Sequence, residues 1–123
     1  MTKKGSLEKQ IADAVTTFWR ELLGRGPEDT RTFIVQDMII VRMKGALTRE
    51  ERHLVGSDRG RRLVKQMRVL LREMHSGEVE ALIAEKTGCQ IVSSHSDLST
   101  KTGERVEMYI LDQNIEKLLT VEP

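Results

Sequence analysis

The stretch Thr30-Arg31-Thr32-Phe33-Ile34-Val35-Gln36-Asp37-Met38-Ile39-Ile40-Val41-Arg42-Met43-Lys44 decides the fold class. It holds two runs, 30–36 and 38–44, dense in Ile, Val and Phe, side chains that suit a pleated, half-buried surface. Asp37 between them reads as a turn, which makes the pair a hairpin; one continuous, bulged strand is the competing reading. In the second run Ile39, Val41 and Met43 share one face, while Met38, Ile40, Arg42 and Lys44 share the other, which is half polar.

Helical patterns flank this unit. Upstream, Ser6 reads as an N-cap, and Leu7, Ile11, Val15, Phe18 and Leu22 recur at steps of four and three. Gly24, Gly26 and Pro27 stop that helix, giving it residues 7–23, and Trp19 and Leu23 widen its apolar face. Downstream, Gly45 breaks the strand and Thr48-Arg49-Glu50-Glu51 has the form of a capping box for a short helix ending near Gly56. Ser57 or Asp58 caps the next helix, residues 59–86, with Gly88 as its stop. Unbroken, it would run roughly 40 Å; Gly77 allows a kink or break.

The C-terminal part reads as strands 89–96 and 104–111 around a polar loop, 97–103, and a tail helix, 113–119, that lays Ile115, Leu118 and Leu119 on the body. Val106, Met108 and Ile110 alternate with Arg105, Glu107 and Tyr109, so one face of the last strand is expected to be wet. The order is α-β-β-α-α-β-β-α. It predicts a single α+β domain over residues 1–123: an antiparallel sheet of about four strands, packed by the N-terminal helix and the long central helix.

Composition excludes several classes. The chain has 123 residues, 38 % hydrophobic and 32 % charged, with one cysteine, Cys89, and so no internal disulfide. No run approaches the ~20 apolar residues of a membrane span, and the amino terminus leads into a helix pattern rather than a signal peptide. The expectation is a small cytoplasmic protein. The net charge is +1 and aromatics are 3 %, so nucleic acid is the least favoured partner. The balance hides polarity: residues 1–72 carry sixteen bases and nine acids, residues 73–123 four bases and ten acids.

Signals of chemistry are few. His53, His75, His95 and Cys89 have no metal-ligand spacing, and neither a phosphate loop nor a Gly-x-Ser-x-Gly elbow is present. No catalytic residue, metal or cofactor is assigned. Ser93-Ser94-His95-Ser96-Asp97 is dense in polar groups, and His95 and Asp97 are its candidate ligand-binding pair; a polar strand end is the plainer reading. Arg61, Lys65, Arg68 and Arg72 follow steps of four, three and four, so they share one arc of the long helix, away from Leu63, Met67, Leu70 and Met74. This stripe could meet an acidic protein or anionic lipid, or be a solvated face paired with acids from elsewhere in the fold. Cys89 reads as a buried small apolar residue, with a reactive thiol the alternative.

The chain resembles the MpsC-like family, long catalogued as a domain of unknown function. The resemblance rests on Gly24-Arg25-Gly26-Pro27, 30–35, Asp37-Met38-Ile39-Ile40-Val41-Arg42, Gly45-Ala46-Leu47-Thr48-Arg49-Glu50-Glu51, Gly60-Arg61, Leu63-Val64-Lys65, Thr87-Gly88 and 92–100. Tyr109 stands where the family pattern has phenylalanine, a conservative departure. The resemblance implies a small cytoplasmic accessory protein. The family's namesake is encoded with two other components of a system that generates membrane potential, linked to cation movement and inorganic-carbon uptake. The resemblance supplies no catalytic residues. The expected role is a non-enzymatic interaction protein, peripheral to a membrane complex; a small-ligand sensor or enzyme using residues 93–97 is the alternative. A homodimer is expected from the wide apolar face of the first helix and the open sheet edges.

Overall fold

A computed structural model describes residues 2–120. Met1 and residues 121–123, included in the 1–123 domain reading, lie outside them. The elements follow the expected order: α1 (Lys3–Leu23), β1 (Asp29–Val35), β2 (Met38–Lys44), α2 (Arg49–Leu54), α3 (Asp58–Thr87), β3 (Ile91–Leu98), β4 (Arg105–Leu111) and α4 (Ile115–Thr120). The strands form one antiparallel sheet in the order β1-β2-β4-β3.

The hairpin reading holds. Val35 pairs with Met38 across a two-residue turn, and Gln36 takes the left-handed conformation that so tight a connection needs. α1 starts earlier than Ser6 because the Thr2 hydroxyl accepts from the Gly5 amide, and Gly24 ends it with positive φ. Thr48 and Glu51 form the expected capping box, and Ser57 caps α3. α3 runs unbroken through Gly77 for 30 residues, about 45 Å. Gly60 is obligatory there: a Cβ would meet the Leu54 carbonyl oxygen at 1.7 Å, so α2 and α3 touch backbone to backbone.

The helices lie on one face of the sheet. Leu7, Ile11, Val15 and Trp19 of α1, Val79 and Ile83 of α3, and Ile115 of α4 pack with Ile34, Ile39, Val41, Met43, Tyr109 and Leu111. A smaller cluster joins Leu47, Val64 and Leu98. The core is aliphatic around one tryptophan and one tyrosine, as the low aromatic content requires.

Several expectations need correction. β3 begins and ends two residues later than 89–96, so Asp97 and Leu98, expected in the loop, belong to the strand. Leu118 of α4 points outward, while Ile115 is buried. The wide apolar face of α1 is filled inside the monomer. The β1 edge is partly closed: Ile34 N–H donates to Glu8 and Gln36 N–H to Glu116. The largest correction concerns β4, whose Arg105, Glu107 and Tyr109 are buried while Val106, Met108 and Ile110 line the open face.

Candidate functional site

The inversion of β4 has a counterpart in α3. Arg68 and Arg72 are only 2 and 8 % exposed. Both turn inward, Arg68 toward α2 and the Trp19 ring and Arg72 toward Tyr109 of β4. Arg68 Nε and Nη2 donate to Glu51 Oε2 and Oε1, each at 2.7 Å, and Nη2 also donates to the Ala46 carbonyl at 2.5 Å. Glu51 Oε1 accepts from the Thr48 amide as well, so the helix-capping carboxylate doubles as the arginine's partner. Burial works against the charged Glu51 carboxylate, but the Arg68 and Thr48 hydrogen bonds outweigh it and hold its pKa below the ordinary value.

Beside this pair, Glu107 accepts from Trp19 Nε1 at 3.0 Å, Arg105 Nε at 2.9 Å and the Tyr109 hydroxyl at 2.5 Å. Burial, and then the neighbouring Glu107 charge, push the Tyr109 hydroxyl far up, so it stays protonated and donates. The Arg105 and Arg68 guanidinium groups stand 4.6 and 5.5 Å from the Trp19 ring centroid, and Arg72 stands 5.7 Å from that of Tyr109. Arg72 Nε and Arg105 Nη2 lack hydrogen-bond partners among the described residues. The two carboxylates are held by internal donors, and the layer ties α3 to α2, α1 to β4, and brings Arg72 of α3 over the Tyr109 ring.

The four stripe residues are therefore not one open surface. Arg68 and Arg72 are internal. Arg61 pairs with Asp58 and donates to the Val55 carbonyl at 2.9 Å. Lys65 donates to Asp97 Oδ1 at 2.7 Å and the Leu98 carbonyl at 2.6 Å. The physical reason is visible in the helix itself: Val64, Val79 and Ile83 share the arginine arc, and their burial turns that arc inward.

Residues 93–97 alternate across β3. By register, Ser93, His95 and Asp97 lie with Ile110, Met108 and Val106 on the face away from the helices, and Ser94 and Ser96 lie on the other. The bond from Lys65 holds the Asp97 carboxyl below its usual range. His95 is exposed, and among the described residues no group of three His, Cys, Asp or Glu side chains is placed to hold a metal. Cys89 is buried, which pushes its thiol up and away from the reactive form.

Among the described residues two apolar surfaces remain uncovered, and Val106, Met108 and Ile110 lie on one of them although the wet face of β4 was expected on the other side. The first is the sheet face opposite the helices: Phe33 and Val35, Met38 and Ile40, and Val106, Met108 and Ile110. Phe33 pairs with Ile40 and Ile40 with Met108; Val35 pairs with Met38 and Met38 with Ile110. None belongs to either core cluster. The second is the outward side of α3, where Leu63, Met67, Leu70 and Met74 are 40–67 % exposed.

These features define a two-layer α+β domain with a buried ion-pair layer and uncovered apolar faces; no helix among the described residues is long and apolar enough to cross a membrane. The model of the family described as "Na+-translocating membrane potential-generating system (MpsC)" matches residues 3–113, and the chain belongs to the MpsC family. Two similar proteins come from Bacillus subtilis (strain 168). The uncharacterized protein YbcI is 40 % identical over 120 residues, covering 94 % of this chain and 97 % of YbcI. The uncharacterized protein YrhF is 26 % identical over 109 residues, covering 88 % and 89 %. No solved structure matches.

Proposed function

We propose that the protein is a non-enzymatic, cytoplasmic accessory protein of a membrane-potential-generating system, and that it works by docking on a protein subunit of that system. The observation that carries this reading is the open sheet face. An antiparallel sheet with one solvated face ordinarily alternates apolar-in and polar-out. Here seven apolar side chains on three adjacent strands face away from the helices. Toward one end of the same face Arg31 pairs with Asp29, Arg42 with Glu104 and Asp97 with Lys65, while the Lys44 side chain has no ion-pair partner among the described residues. A surface whose rim charges are mostly paired and whose centre is apolar suits a protein partner better than anionic lipid or nucleic acid. The family description supports the membrane system as the setting.

The test is co-purification of tagged protein with the membrane subunit of the system encoded in the same genome. Phe33→Asp with Ile40→Asp should reduce recovery at least tenfold while the urea midpoint stays near wild type. Undiminished recovery would refute the sheet face as the docking surface.

A further inference from the structure

We infer that the outward side of α3 is a homodimer interface in which two copies of the helix pack antiparallel about a two-fold axis near residues 67–70. Leu63, Met67, Leu70 and Met74 follow steps of four, three and four. At about 100° per residue they span an arc of only about 60°, the seam geometry of paired helices. All four are exposed in the monomer. The opposite arc of α3 is occupied by the sheet and by α1 and α2, so an intramolecular partner for this seam is absent among the described residues.

Charge identifies the occupant. Within α3, residues 58–72 carry six bases and one acid, whereas residues 73–87 carry four acids and one base. Arg59, Arg62, Glu73 and Glu80 fall on one flank, within an arc of about 60° beside the seam. None of the four side chains makes an ion pair or hydrogen bond among the described residues; Arg59, Arg62 and Glu73 are exposed and Glu80 is partly so. In an antiparallel pair the same flank of each helix meets its own copy. Arg62 of one copy then comes opposite Glu73 of the other, and Arg59 opposite Glu80, and the two-fold repeats both contacts. A two-fold interface must be self-complementary, and this polarity is. A parallel pair would set this flank against the one on the other side of the seam, where Gly60, Leu71 and Glu78 lie and no acid stands at the height of Arg59 or Arg62. An anionic membrane would meet the acidic C-terminal half. The surface is distinct from the open sheet face, so this inference does not depend on the proposed docking.

The test is sedimentation mass of the purified full chain across nanomolar to high-micromolar concentration. The wild type should reach twice the 14.0 kDa chain mass. Met67→Glu with Leu70→Glu should weaken association about a hundredfold or more, because each change enters the interface twice. R59E/R62E alone and E73R/E80R alone should both be weakened, and an equimolar mixture of the two should dimerise again. That rescue cannot arise from misfolding. A wild type that stays monomeric, a dimer indifferent to Met67→Glu with Leu70→Glu, or a mixture without rescue would each overturn the inference. So would a monomer that floats with phosphatidylglycerol vesicles through this seam.

Discussion

Replacing Arg68 by methionine tests whether the cationic side of α3 is structural. Methionine keeps most of the stem volume, so the cavity left is small. What is removed is charge and hydrogen bonding: two 2.7 Å bonds to Glu51, one 2.5 Å bond to the Ala46 carbonyl, and a guanidinium 5.5 Å from the Trp19 ring. Glu51, itself 2 % exposed, is left as an uncompensated buried carboxylate. Breaking one side of such a pair costs about 3–5 kcal/mol, a large share of the roughly 5–15 kcal/mol that holds a domain together. With a urea m-value of about 1–3 kcal/mol per molar, the midpoint should fall by more than about 1 M. Glu51→Gln should also destabilise, since it strands the arginine, though the amide oxygen of the new side chain still accepts from the Thr48 amide. Arg68→Met with Glu51→Gln should cost less than the sum, by about 0.5–3 kcal/mol of coupling. The assay is equilibrium urea unfolding followed by Trp19 fluorescence, with Arg52→Met, at an exposed position outside the proposed seam and flank, as the control. A cost for Arg68→Met within about 0.5 kcal/mol, the range of a surface change, would refute the inward assignment.

Other expectations follow from the same geometry. Gly60→Ala should destabilise by at least about 1–3 kcal/mol in the urea assay, because the new Cβ meets the Leu54 carbonyl at 1.7 Å. Gly77→Ala should stabilise by up to about 1 kcal/mol, because the helix is continuous and a Cβ there meets nothing within 4 Å. Glu51 has a folded-state pKa below its ordinary 4.5, so its contribution is present above that value and is lost as pH falls through the folded one. The urea midpoint should therefore hold from pH 7 to about 5 and fall below about 4.5, and Arg68→Met should flatten that fall.

The sheet was legible in the sequence because the hairpin runs, the turn at Asp37 and the capping box at Thr48–Glu51 are local signals. The order of elements and the placing of helices on one face followed from them. What misled was the sign of two faces. β4 alternates apolar and polar residues, and alternation alone does not say which side is inside. Here Glu107 accepts from Arg105 Nε, the Tyr109 hydroxyl and Trp19 Nε1, which lets the polar side of the strand be buried although Arg105 Nη2 is left without a partner among the described residues. α3 likewise offers two arcs. Val64, Val79 and Ile83 share the arc of Arg68 and Arg72, and that coincidence was the available signal that the arginines turn inward. Glu51 read only as a cap, because its second partner lies 17 residues away. In the cluster at 93–97, strand alternation keeps Ser93, His95 and Asp97 on one face and turns Ser94 and Ser96 to the other, while Lys65, distant in sequence, binds Asp97.

The central claim is that α3 turns its arginines to the core and its Leu-Met seam to a second copy. Spin labels on single cysteines at Gln66 and Ala81, both exposed and outside the charged flank pairs, test it directly in a Cys89→Ala background. At a 1.5 Å rise per residue and about 10 Å between axes, an antiparallel pair centred between Met67 and Leu70 places the two copies of position 66 about 12 Å apart and those of position 81 about 39 Å apart. A short distance at 66 and a long one at 81 is the predicted result. Equal distances at both positions, or no inter-spin coupling at either, would contradict the account.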